Sequence, residues 1–120
     1  MFSRVLPILV TGAFLTGCAT NPGPKPDDQL ASAQSALQSA ANAGGEDTEP
    51  SMVAAAREKV ATAESLITEE RYGEARRLLE QAEVDARLAE ARAETQKVRD
   101  ELGDVRASID SLRRNLENQN

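Results

Sequence analysis

No proline interrupts the chain after Pro50, and from Val84 onward one apolar pattern runs without a slip. Val84, Leu88, Ala91, Thr95, Val98, Leu102, Val105, Ile109, Leu112 and Leu116 alternate steps of four and three residues. A step pattern averaging 3.5 puts one stripe on one face of an α-helix and is incompatible with the two-residue period of a strand. At about 1.5 Å per residue the stripe is roughly 48 Å long. An apolar stripe of that length needs a cover, and a second helix is the cover that matches its period.

The same helix carries a second stripe. Ala75, Leu79, Ala82, Ala86, Ala89 and Ala93 recur at the same spacing, and their small side chains suit close packing against a preceding helix. Upstream, Val53, Ala56, Val60, Ala63 and Ile67 form a 3-4-3-4 stripe behind Pro50, which suits the first turn of a helix. That helix is expected to be capped at Thr48 or Glu49 and to stop near Glu69–Gly73. Gly73 lowers helix propensity there, and a short turn folds the next helix back antiparallel. Tyr72 is expected at the hairpin corner. Leu30, Ala33, Leu37 and Ala40 mark a shorter, alanine-rich helix, with Asp27 or Asp28 as N-cap and Gly44-Gly45 as stop. The reading is all-α: a helical hairpin with a long C-terminal helix or coiled coil, preceded by a shorter Ala-rich helix. The expected helices run about 28–43, 50–69 and 73–117 within a helical domain of 29–120. Aromatic residues are only 2% of the chain, so a large globular core is not expected.

Charge assigns the edges of the long stripe. With Leu88, Thr95, Leu102, Ile109 and Leu116 at heptad position a, position e is Arg92, Arg99, Arg106 and Arg113. Position g reads Glu94, Glu101, Ser108 and Asn115, and Gly103 falls at the outward position b. In a parallel coiled coil g meets e of the next heptad on the partner, pairing Glu94 with Arg99 and Glu101 with Arg106. Leu88, Val98, Leu102, Val105, Ile109, Leu112 and Leu116, edged by Arg99 and Arg106, form the candidate self-association seam. Three arrangements satisfy the pattern: a parallel homo-oligomer, a monomeric three-helix bundle with a solvated face, and docking to a different helical protein. The seven-residue repeat of arginine favours the first.

Several function classes are disfavoured by composition. The chain has no histidine and a single cysteine, which removes the usual zinc, copper and haem ligands, so no metal or cofactor is expected. A net charge of −6 makes nucleic acid a poor partner. Catalysis needs acid, base or nucleophilic groups held in a cleft. Paired carboxylates such as Asp27-Asp28 and Glu69-Glu70 read as caps and solvated charges, so no catalytic residue is assigned and an enzyme is not expected.

Residues 1–17 have Arg4 followed by the apolar run Val5–Leu15. Eleven helical residues span about 16 Å against a hydrocarbon core of about 30 Å, so the run fits a signal peptide and not a membrane span. Leu15-Thr16-Gly17-Cys18 resembles the lipobox of bacterial lipoproteins. The resemblance implies cleavage between Gly17 and Cys18, acylation of Cys18 and attachment to a membrane, where two or more acyl chains hold stably. Ala19 in place of an aspartate implies, by the same likeness, the outer membrane, with the chain facing the periplasm. Residues 18–28 follow as a Pro/Gly-rich tether, expected to be extended.

Tyr72, Ala75, Leu78, Ala82, Asp85-Ala86, Leu88-Ala89-Glu90-Ala91 and Ala93 resemble the signature of small bacterial envelope lipoproteins called domain of unknown function 4398. The likeness is expected over about Asp28 to Leu116 and implies the fold and location above without assigning an activity. The chain is also similar to the major Braun-type lipoprotein in lipobox and heptads. Its last lysine, Lys97, lies inside the helix, so the covalent peptidoglycan link of that protein is not expected. The function expected is a lipid-anchored structural or adaptor lipoprotein acting through helix–helix association. The alternative is a small-ligand or noncovalent peptidoglycan-binding module using the Ala-lined interhelical groove.

Overall fold

The structure, a computed structural model, describes residues 23–119. Four helices follow in order: α1 (Asp27–Asn42), α2 (Gly45–Thr48), α3 (Pro50–Thr68) and α4 (Tyr72–Glu117). No strand occurs among the described residues, so the all-α reading holds. The three long helices lie within a residue of the spans expected from periodicity, and α2 is additional. A single turn, Gly-Glu-Asp-Thr, is too short to show a period. It is closed by the Thr48 hydroxyl donating to the Gly44 carbonyl at 3.0 Å and the Glu49 N–H donating to the Gly45 carbonyl at 2.9 Å.

Local chemistry sets the helix ends, not always as expected. Pro26, and neither aspartate, occupies the N-cap of α1, with Asp27 and Asp28 in its first turn. Asp27 pairs instead with Lys25 at 2.8 Å, and carboxylates in a first turn are stabilised by the helix dipole. Pro26 is buried and the Pro24 carbonyl accepts from Arg76 at 3.1 Å. The last residues of the tether are therefore laid on the helices and are not extended away from them. At the other end of α1, Gly44 adopts φ 88° and its N–H reaches the Ala41 carbonyl at 3.0 Å, as a left-handed glycine stop does. Glu49 sits at the N-cap of α3 without a side-chain cap bond.

The α3–α4 corner is made by Glu70, not Gly73. Glu70 has φ 59°. Its N–H bonds the Ile67 carbonyl at 3.0 Å and the Arg71 N–H bonds the Leu66 carbonyl at 2.8 Å, the paired bonds of a Schellman stop. Gly73 is the second residue of α4, with open space around it. Tyr72, half-buried, begins α4 at the corner.

The helices form an up-down-up bundle. Pro24 meets Arg76 near the start of α4, and Ala40 clusters with Val53 and Ala89 further along, so α1 runs parallel to α4. Lys59 pairs with Asp85, and Glu49 with Arg92, so α3 runs antiparallel to both. The core comprises Ala33, Ala36 and Ala40 of α1, Val53, Ala56, Val60, Ala63 and Leu66 of α3, and Ala75, Leu79, Ala82, Ala86, Ala89 and Ala93 of α4. Ten of these fourteen residues are alanine. Each contributes little apolar area, so cohesion comes from short interhelical distances and close atomic contact. Leu30, Leu37 and Ile67 flank the core half-buried, while Ala36 and Leu66 take the inward positions. Ala93 is the last buried residue, and residues 94–119 are exposed throughout. Beyond it α4 continues alone for about 36 Å.

Candidate interaction seam on the projecting helix

At 100° per residue, Val84, Leu88 and Ala91 lie on the opposite side of α4 from Ala82, Ala86 and Ala89. The latter are buried against α1 and α3, whereas Val84 and Leu88 are 65% and 43% exposed. The long stripe therefore starts on the outer face of the bundle and runs onto the projecting segment. Val98, Leu102, Val105, Ile109, Leu112 and Leu116 are 44–63% exposed. Together with Val84 and Leu88 they are the exposed large apolar residues of the described chain, all on one helix. The structure thus brings every apolar residue of the expected seam onto one surface, none of it covered by α1 or α3.

Thr95 interrupts this row chemically but not geometrically. Its hydroxyl donates to the Ala91 carbonyl at 2.7 Å, which satisfies the polar atom within the helix and leaves the methyl group for the seam. A side chain at Gly103 would meet open space, with no atom within 4 Å of its Cβ, as suits an outward position.

The arginine edge divides in two. Arg92 donates to Glu49 Oε2 at 3.2 Å, so the first arginine of the repeat ties α4 to the start of α3. Arg99, Arg106 and Arg113 make no ion pair among the described residues, nor do Glu94 and Glu101. The Glu49–Arg92 pair is not legible in the sequence, because a residue adjoining Pro50 reads as a cap. Only the antiparallel placement of α3 along α4 brings the two together.

At the opposite end of the bundle, Arg71 clasps the corner. It donates to both carboxylate oxygens of Glu74, at 2.9 and 2.7 Å, and to Glu69 Oε2 at 3.0 Å. Hydrogen bonding from Arg71 holds the Glu74 carboxyl below its ordinary range, and the Glu74 and Glu69 carboxylates raise the Arg71 guanidinium further. Lys25 is likewise raised, by its bond to Asp27. These are charge-assisted links at the surface, without a cleft.

The interhelical interface itself is closed: Ala33, Ala56, Ala63, Ala75, Ala82 and Ala86 are fully buried. Open grooves lie beside it. One of about 390 Å³ between α1 and α4 is lined by Ser32, Ser35, Ser39, Arg87 and Glu90, among others. Among the described residues no group of three or more acidic or cysteine side chains is placed to hold a metal ion. None of the described helices is long and apolar enough to cross a membrane. Gly17 and Cys18 lie outside the described residues.

The family profile "Domain of unknown function (DUF4398)" matches residues 28–105. The chain belongs to the DUF4398 family. A DUF4398 family protein from Pseudomonas aeruginosa PAO1, known from its crystal structure, is 39% identical to it. The two superpose with a TM-score of 0.76 over 81% of this chain and 100% of that one. No curated protein matches the chain. The resemblance read from Tyr72 to Ala93 is therefore borne out. The DUF4398 match ends at residue 105, short of Leu116, so Ile109, Leu112 and Leu116 extend the stripe beyond the matched region.

Proposed function

We propose that this DUF4398 chain is a lipid-anchored structural or adaptor lipoprotein. It is held in the outer membrane through Cys18, faces the periplasm, performs no catalysis and acts by helix–helix association. The observation that carries the association reading is a stripe on a helix that projects past its own bundle, where eight exposed large apolar residues keep a four-three rhythm with Ala91 and Thr95 filling the steps between Leu88 and Val98. A solvated helix has no physical reason to keep such a row apolar over so many turns. The absence of histidine from the sequence supports a non-catalytic role. Geometry supports the orientation: the end of the tether meets the base of α4 at Arg76, and the seam runs away from that base.

Two measurements test it. Replacing Cys18 by Ala moves the protein from the membrane fraction to the soluble fraction; undiminished membrane attachment would refute the anchor. Leu102→Asp combined with Ile109→Asp abolishes cross-linking of the protein to its helical partner in cells. Unchanged cross-linking would remove the seam from the function.

A further inference from the structure

Resting on the reading of the α4 seam as a helix-docking surface, we infer that its occupant is a second copy of this chain, parallel and in register. Three observations carry this. First, the seam faces away from α1 and α3: Val84 and Leu88 are exposed while Ala82, Ala86 and Ala89 behind them are buried. A second α4 can lie along it without displacing either helix of the bundle. Second, on the projecting segment beyond Ala93 the charged edges match only one orientation. Parallel and in register, Glu94 faces Arg99 of the second copy and Glu101 faces Arg106, each twice across the pair. Antiparallel, the e edge meets itself, and Arg99, Arg106 and Arg113 oppose arginines, a repulsive arrangement. Third, these groups are available. Arg99, Arg106, Arg113, Glu94 and Glu101 make no ion pairs among the described residues, whereas Arg92, beside the bundle, is occupied by Glu49.

The parallel arrangement also satisfies the geometry of the base. Since α1 runs parallel to α4 and the tether meets α4 at Arg76, parallel copies place both tethers at one end. Both can then enter the same membrane surface. Charge fixes orientation and register, and the number of strands is read from the mass of the assembly.

The test uses the full-length chain in cells under mild oxidation, with the parent protein, whose one cysteine is Cys18, as control. Val98→Cys and Leu112→Cys are made separately. In the parallel register each residue faces its own counterpart, so each variant alone gives a disulfide-linked product of two identical chains, which the parent does not. A 98-to-112 product formed only when the two variants are co-expressed would overturn the orientation. Linkage only to a different protein would overturn the inference while leaving the adaptor reading intact. No seam linkage from either variant, alone or together, would sink both. Arg99→Glu with Arg106→Glu should lower the self-linked product by about tenfold or more, because four pairs become repulsive. Adding Glu94→Arg and Glu101→Arg should restore it. These positions lie outside the buried core, so a helical melting curve unchanged from the parent's, measured on protein too dilute to associate, reports an intact bundle. Retention of the product in the Arg99→Glu, Arg106→Glu variant would overturn the register.

Discussion

Three residues at the turns hold conformations or contacts that their neighbours cannot easily adjust. Glu70 sits at φ 59° in a position that normally selects glycine, because a Cβ there crowds the backbone. Glu70→Gly is expected to stabilise the bundle by about 0.5 kcal/mol, strain relief outweighing glycine's greater unfolded-state freedom. Glu70→Val should cost about 1 kcal/mol; both are read from urea unfolding. A Cβ on Gly45 would lie 2.8 Å from the Ala40 carbonyl oxygen, a backbone atom that cannot swing aside. Gly45→Ala is therefore expected to cost about 2 kcal/mol and lower the melting temperature by roughly 10 °C in a thermal scan. Glu74 sets a pH dependence. Its folded pKa is depressed by Arg71, so the stability it adds is fully present above its unfolded value and is lost as pH falls through the folded one. Unfolding midpoints between pH 7 and pH 3 should show that loss in the parent, and Glu74→Gln should remove this component of it.

Among the elements, legibility follows periodicity. The buried row of α4 coincides with the alanine stripe visible in the sequence, because six residues in regular steps define a face without knowledge of the partner. At the last turn of α3 and the middle of α1 the face slips by one residue, from Ile67 to Leu66 and from Leu37 to Ala36. Adjacent residues differ by only 100° around a helix, and which one points inward depends on where the second and third helices sit. Asp27 reads as a cap because its competitor, Lys25, is a neighbour whose pairing only the folded chain shows. The left-handed stop at Glu70 is hidden behind the more conspicuous Gly73. On the projecting segment, legibility extends to the apolar face but not to how Thr95 satisfies its hydroxyl. The two faces of α4 should respond oppositely to substitution. Ala86→Leu forces a larger side chain into a fully buried site and should lower bundle stability by about 1–3 kcal/mol. Leu102→Ala, on an exposed surface, should leave the melting of dilute protein within about 0.5 kcal/mol of the parent.

For the molecule as a whole, the division of α4 between a covered half and an uncovered half determines what can be lost independently. Destabilising the bundle at Gly45 or Ala86 loosens α1 and α3 from α4. Altering the seam leaves that packing untouched. Limited proteolysis can separate the two: Gly45→Ala is expected to speed cleavage in the segment joining α1 to α3, with no corresponding change for Leu102→Ala. Unbroken passage of α4 from one half to the other has another result. Because no turn or loop intervenes between Ala93 and Glu117, the compass bearing of the distal face relative to the bundle is dictated by residue count alone. Deleting one residue there would swing everything beyond it through about 100° and draw it in by about 1.5 Å. Removing seven would shorten the rod by about 10 Å yet bring the face back to within about 20° of its bearing. Length in this molecule can therefore change by seven or by eleven residues while aim is kept to within about 20°, whereas increments of one or two residues re-aim it.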